Sequence, residues 1–423
     1  MLGVHQAIRG LHSPELPASP SWEDFDLRLG ASSAAGGLRM VVCGLTENLT
    51  AKAGLEAAQG AGARVYGVFS GILSSDDVNA MAQKCPDIIL FTGGTDGGEV
   101  KRVKNNAQVL TQYPGPRPPV VVACNQNAAP EIVALFSSHG FEVYRAQNVM
   151  PALEQLAGDS AREAIRGVFM RHITKAKGLE HLTERLNHPV VPTPYAVMKG
   201  LSCWHPNSVA VDVGGATTDV YSFADGRPTV TGLIPRGIRQ PKLRRTVEGD
   251  LGIRESVSAL KAAAGSQFSS VLFSEETFSS WSRDEVEQRL RAYEAKTVIL
   301  PGDDLDRWLD EKLSRLCIDL ATRRHAGTLV TRDTPQGPVH FLYGKDLRDA
   351  SRLIGTGGTF FAASRGAFAK NILKGALFTN DGSLRPKSPD LWVDPDYRLF
   401  AAGLLSLILP EEAGGLLEGL KPL

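Results

Sequence analysis

Between Asp212 and Asp219 the chain reads Asp-Val-Gly-Gly-Ala-Thr-Thr-Asp, a combination of residue types that can hold a phosphate. Gly214 and Gly215 have no Cβ, so the main chain at the bend can approach an anion closely, and consecutive N–H groups there form a nest of partial positive charge. The hydroxyls of Thr217 and Thr218 add donors. Asp212 repels a phosphate but can hold a water of a magnesium ion that bridges phosphate oxygens, and Asp219 can secure the hairpin or a second water. The alternative is an ordinary glycine-turn hairpin with an Asp on each side. A second glycine turn, Gly355-Thr356-Gly357-Gly358, suits a nucleotide's sugar or base lying against bare backbone. Glu248 and Asp250 follow the first turn, where a carboxylate could orient water or reach the metal; a helix-start cap with exposed acids explains them as well. His325 lacks a triad-like neighbourhood and reads as a packed or capping residue, and Lys345 and Asp346 read either as ribose contacts or as an exposed turn.

The elements that must position these residues follow from periodicity. Val209, Val211 and Val213 alternate with Ala210 and Asp212 as a buried strand would, and Val220 and Tyr221 resume the pattern after the turn. Arg352–Ile354 is a strand end entering the second turn, and a helix is expected from about Phe360. From Leu38 to Asn148 strand-like and helix-like stretches alternate. Strands are expected at Met40–Gly44, Ala63–Phe69, Asp87–Thr92, Val120–Cys124 and Phe141–Tyr144, with helices at Ala51–Gln59, Ser75–Gln83, Lys104–Leu110 and Pro130–Ser138. That rhythm predicts a doubly wound parallel sheet whose strand ends meet ligands or partners. Ala161–Thr174 has the spacing of an amphipathic packing helix.

Composition narrows the function classes. With 423 residues the chain is expected to form two or three domains. The 46 basic and 46 acidic residues balance, and no basic stripe points to nucleic acid. The five cysteines lack metal-site or Cys-x-x-Cys spacing and read as reduced core residues of a cytoplasmic protein, with Cys43, Cys85 and Cys124 expected to be buried. Met1 is not followed by the regions of a signal peptide. The longest apolar run, Leu399–Leu409, falls short of the roughly 20 residues a spanning helix needs and reads as a buried C-terminal helix; Ser13–Ser21 reads as a linker.

Taken in order, Pro192–Ala196, Asp212–Asp219 and Ile354–Gly358 resemble the connect-1, phosphate-2 and adenosine motifs of the actin-like ATPase superfamily. Together with Ser32–Leu38, Phe91–Gly98, Asn148–Pro151, Arg245–Gly252, Arg324–Gly327 and Gly344–Leu347, they are similar to the MutL/GlmL family. Its members accompany cobalamin-dependent glutamate mutase and related aminomutases and are unrelated to the mismatch-repair protein of the same short name. The resemblance implies an α/β fold: an actin-like (ribonuclease H-like) two-lobed ATPase core with an inserted flavodoxin-like doubly wound sheet.

The expected divisions are residues 1–36 as a remnant N-terminal helix and linker, 37–148 as the flavodoxin-like insert, 149–206 as the helical part of the first lobe, 207–375 as the second lobe, and 376–423 as a C-terminal helical tail. Gly3–Leu11 is similar to the helix that follows the family's phosphate-1 hairpin, and the hairpin itself is missing. That is explained either by a start codon assigned downstream or a truncated chain, or by a protein that no longer hydrolyses ATP. The implied function is an ATP-dependent reactivating factor for an adenosylcobalamin-dependent mutase. ATP or ADP would lie at Gly214, Gly215, Thr217, Thr218, Asp219 and Gly355 to Gly358, with Mg²⁺ on Asp212 and catalytic roles for Asp212 and Glu248. The alternatives are a nucleotide-independent mutase-binding scaffold and a small-molecule kinase of the same superfamily. The 37–148 block lacks the Asp-x-His-x-x-Gly run that ligates cobalamin, so it is expected to dock against the mutase's cobalamin domain or simply to complete a lobe.

Overall fold

The computed structural model describes residues 20–32, 39–61, 63–176, 184–273, 281–295, 301–335, 337–362 and 366–423. Residues 1–19 and 33–38, which carry the expected N-terminal helix, most of the linker and most of Ser32–Leu38, lie outside the described residues. A short strand β1 (Ala31–Ser32) precedes a block of five strands: β2 (Arg39–Gly44), β3 (Arg64–Ser70), β4 (Ile88–Phe91), β5 (Val120–Val122) and β6 (Val143–Arg145). All five run parallel in the order β3-β2-β4-β5-β6. The residues Met40–Cys43, Ile88–Phe91 and Val120–Val122 are buried on both sides, which is why they read as unbroken apolar runs. Between the strands come α1 (Lys52–Gly60), α2 (Ser75–Gln83), α3 (Lys101–Leu110) and α4 (Ala129–Ser138), followed by α5 (Asp159–Ala176).

One core places Met40, Val42, Ile88 and Leu90 with Ala57 of α1 and Ile165 of α5. The other places Val41, Ile89 and Val120 with Val78, Val103 and Phe136 of α2, α3 and α4. Helices therefore cover both faces, as the alternating sequence requires. Local chemistry sets the boundaries: Ser74 and Asp77 exchange side-chain and backbone hydrogen bonds in a capping box at the start of α2. Cys43 and Cys124 are buried as expected, but Cys85 is exposed, because it sits at positive φ in the turn after α2.

A short strand β7 (Val191–Pro192) pairs with β1 and leads into α6 (Thr193–Trp204). Then follow β8 (Ser208–Val213), β9 (Thr218–Phe223), β10 (Leu233–Arg236) and β11 (Leu243–Glu248). The helices α7 (Val257–Ala264), α8 (Ser266–Leu272), α9 (Arg283–Glu294) and α10 (Asp304–His325) precede β12 (Thr328–Thr334), β13 (Gly337–Tyr343) and β14 (Arg352–Thr356). The chain closes with α11 (Gly358–Ala362), α12 (Gly366–Leu373), β15 (Asp390–Val393), α13 (Arg398–Leu405) and β16 (Lys421–Pro422).

The main sheet here has the order β11-β9-β8-β14-β15-β16. β8, β9 and β11 form an antiparallel meander, whereas β14 runs parallel to both β8 and β15. The two orientations bring the β8–β9 turn and the end of β14 to the same edge. The segment expected as a helical tail thus contributes strands β15 and β16 to this sheet. α13 also stops at Leu405, and Ile408 and Leu409 beyond it are exposed rather than buried. One face of the sheet packs Val209, Val211, Val213 and Val220 on α7, α10 and α12; the other packs Ala210, Tyr221 and Ile354 on α6 and α13. α10 carries Asp304 and Asp306 in its first turn and Arg323, Arg324 and His325 in its last, opposite in sign to its macrodipole ends.

The two sheets meet where α1 lies against β11. Glu56 of α1 pairs with Arg244 at 2.9 Å, Arg64 donates to the Gly249 carbonyl at 2.8 Å, and Arg245 donates to the Gln59 carbonyl at 2.9 Å.

Candidate functional site: two glycine turns around Asp212

β8 delivers Asp212 to the sheet edge, where it registers with Asp219 on one side and Thr356 on the other. Residues directly opposite in a sheet share a face, so these three side chains project together. The turn between β8 and β9 is closed by the Gly214 N–H donating to the Thr217 carbonyl at 2.9 Å. The carbonyl of Gly214 accepts from Ile253 at 3.2 Å, and that of Gly215 accepts from Arg254 at 2.9 Å and Glu255 at 2.8 Å. With its carbonyls drawn into the following loop, the turn leaves the N–H groups of Gly215, Ala216 and Thr217 without a hydrogen bond among the described residues. That is the polarity of an anion nest.

The second turn comes against the first. Gly357 has φ +91°, and a Cβ on it would fall 1.8 Å from Oδ1 of Asp212, so only glycine lets the backbone press on that carboxylate. Gly355 lies under the Phe360 ring, and a Cβ on Gly358 would stand 3.3 Å from the Tyr397 hydroxyl. The carboxylate of Asp212 makes no hydrogen bond or ion pair among the described residues. Burial, with the charges of Asp219 and Asp394, pushes its carboxyl up to about 8 despite the opposing charge of Arg245.

The neighbouring side chains are committed to structure. Asp219 is paired with Arg245 at 2.5 Å; burial raises its pKa and Arg245 pulls against that rise. The Thr217 hydroxyl, like Arg245, opposes that rise. Thr218, expected to offer its hydroxyl at the turn, is buried on the opposite face and donates to the Leu251 carbonyl at 2.7 Å. Thr356 donates to Asp394 at 3.0 Å, and Asp394 in turn accepts from the N–H groups of Arg398 and Leu399 at the start of α13. Thr359 donates to the Val213 carbonyl at 2.9 Å, tying α11 to β8.

Glu248 is not brought to Asp212. It registers with Thr218, one position out of phase with Asp212, and so projects from the other face of the sheet, paired with Arg324 at 2.7 Å. Burial raises its pKa and Arg324 opposes the rise, while Asp250, on the same guanidinium at 2.8 Å, is held below the usual carboxylate range.

His325 is buried between the hydroxyls of Thr246 at 2.9 Å and Ser222 at 2.8 Å, and burial drives its pKa well down, so it is neutral. Lys345 and Asp346 are both buried, which excludes an exposed turn. Lys345 donates to Ser222 at 3.0 Å and to the carbonyls of Pro241 and Lys242 at 3.0 and 2.8 Å; Asp346 accepts from Thr229 at 2.9 Å and pairs with Arg348 at 2.6 Å. Sequence reasoning missed Asp394, Tyr397 and Arg245. For Asp394 the signal was present: an Asp standing before the apolar run of α13 is a capping pattern.

Among the described residues no three His, Cys, Asp or Glu side chains converge as a metal cage. A lone unpartnered carboxylate beside an anion nest fits instead a cation held mainly by phosphate and water, the mode of magnesium.

The family model described as MutL protein matches residues 1–419 of the chain. Protein MutL of Clostridium tetanomorphum is 37% identical over 401 residues, covering 92% of this chain and 85% of that protein. The chain belongs to the MutL family. Within this MutL chain, the matched span contains both glycine turns, Asp212 and the five-stranded unit. No helix of the described residues is long and apolar enough to cross a membrane.

Proposed function

We propose that this MutL-family chain binds ATP and ADP with Mg²⁺ at the two glycine turns and serves as an accessory, reactivating factor for an adenosylcobalamin-dependent mutase. The observation that carries the nucleotide reading is the Asp212 carboxylate, without a protein partner, at the point where Gly357 presses against it beside free N–H groups. In this reading the N–H groups of Gly215, Ala216 and Thr217 bind phosphate oxygens, and Asp212 holds the metal through its carboxylate. The adenosine would lie along the backbone of the second turn, whose Gly355 and Gly357 are themselves packed on Phe360 and Asp212. Asp219 positions the hairpin through Thr217 and Arg245. The metal supplies charge neutralisation at the phosphates.

The mutase reading is supported by membership of the family and by the resemblance set out above. The five-stranded unit suits a docking role, since Ile72 and Leu153, 73% and 69% exposed, stand beyond its strand ends. Contacts of the turn's N–H groups with a γ-phosphate disappear on hydrolysis, and a population shift driven by that loss would pass to the docked partner.

Calorimetric titration of the chain with Mg·ATP and Mg·ADP tests this. We expect saturable binding that weakens at least tenfold in Asp212→Ala, while the variant keeps the far-UV spectrum of the parent. Equal affinity in the two proteins overturns the site.

A further inference from the structure

A cavity of about 480 Å³ opens between α8, α10 and the chain just after α12, away from both glycine turns. Its walls carry four cations, Lys312, Arg315, Arg323 and Lys374, and one carboxylate, Asp319. The carboxylate is already spoken for. It accepts from Arg385 at 2.5 Å, from Gln267 at 2.7 Å and from Arg323 at 2.9 Å. Arg385 is fully buried beneath the cavity and also pairs with Asp381 at 2.8 Å. Lys312, Arg315 and Lys374 form no ion pair among the described residues; Lys374 has only a 3.5 Å contact with Asn371, and Lys312 lies 5.9 Å over the Trp308 ring.

Three unneutralised cations on a concave wall focus positive potential into the cavity. The backbone holds the wall in place: a Cβ on Gly375 would fall 2.5 Å from the Arg315 carbonyl, so the segment after α12 rests directly on α10. Leu316 and Val271 supply an apolar patch, and Ser270 and Thr379 hydroxyls for polar contacts. The volume lies within the usual range for small-molecule sites, far above the needs of a single inorganic ion.

We infer that this cavity is a second anion site, taking a small organic phosphate whose phosphoryl group is held by Lys312, Arg315 and Lys374. The guanidinium fork and two ammonium groups match phosphate oxygens, and the apolar patch receives the organic body.

The test uses inorganic pyrophosphate as probe on the full chain in magnesium-free buffer, reading lysine acetylation rates residue by residue with mass spectrometry. Pyrophosphate is expected to slow acetylation of Lys312 and Lys374 at least fivefold, equally in the parent and in Asp212→Ala, while exposed lysines such as Lys101 are unaffected. Arg315→Gln, at an exposed position, should remove most of that protection. Unchanged rates at Lys312 and Lys374 overturn the inference, as does protection that vanishes in Asp212→Ala, since that outcome assigns the anion to the glycine turns. A result at this cavity leaves the Asp212 site to its own titration.

Discussion

Without a bound cation, the Asp212 carboxyl, held up to about 8 by burial and by Asp219 and Asp394, is mostly protonated at neutral pH. A folded-state pKa above the unfolded value means that protonation favours the folded chain. The contribution is fully present below the unfolded pKa, near 4, and is lost as pH rises through 8. Asp212→Asn, which cannot ionise, should therefore melt with the parent near pH 4 and above it by about 5 °C at pH 8. A difference that does not change between pH 4 and 8 would show that the carboxylate is not strained. The same side chain illustrates what sequence can and cannot say about a residue. Its place at a strand end before two glycines is legible from type and spacing. Its lack of a partner is not, because that depends on which side chains arrive from β9, β14 and the loop before α13.

Among the elements, the crossing of α6 and α13 is the least tolerant of added volume. A Cβ on Gly200 would fall 1.8 Å from the Leu399 carbonyl, and one on Gly403 would fall 1.8 Å from the Ala196 carbonyl. The helices touch backbone to backbone, and neither can yield without lifting off the sheet face formed by Ala210, Tyr221 and Ile354. Gly403→Ala is expected to cost about 3 kcal/mol in urea unfolding, whereas Gly415→Ala, with nothing within 4 Å, should stay within about 0.5 kcal/mol. A loss at Gly403 no larger than that at Gly415 would mean that the crossing absorbs the added methyl, since helix propensity by itself favours Ala over Gly. Helix α13 was expected from its apolar run, but its tight partner was not. A glycine inside a helical pattern reads as a weakness until the facing helix is known.

For the whole molecule the decisive contact is Arg245, which joins Asp219 behind the β8–β9 turn to the Gln59 carbonyl at the end of α1. It is buried, as are Glu56 and Asp219. Arg245→Gln leaves Asp219 buried without its cation, and removing one partner of such a pair costs about 3–5 kcal/mol. The double variant Arg245→Gln with Asp219→Asn should lose clearly less than the sum of the two single losses. Additive losses in the unfolding cycle would deny the coupling. Because the same guanidinium grips both units, a change at the turn has a direct mechanical route to the five-stranded sheet. The sequence placed Arg245 beside Glu248 in one motif and offered no means of separating their roles.

The alternation of strands and helices from Met40 to Arg145, and the strand–turn–strand around Gly214 and Gly215, were determined by the sequence alone. Both follow from local periodicity and from turn residues whose conformational needs travel with them. The tertiary structure decided which predicted site residues meet. Register placed Thr356 and Gly357 against Asp212, and the period of two sent Glu248 and Thr218 to the opposite face. Register is set by burying both sheet faces at once, a condition imposed by helices distant in the chain and thus invisible in any single segment.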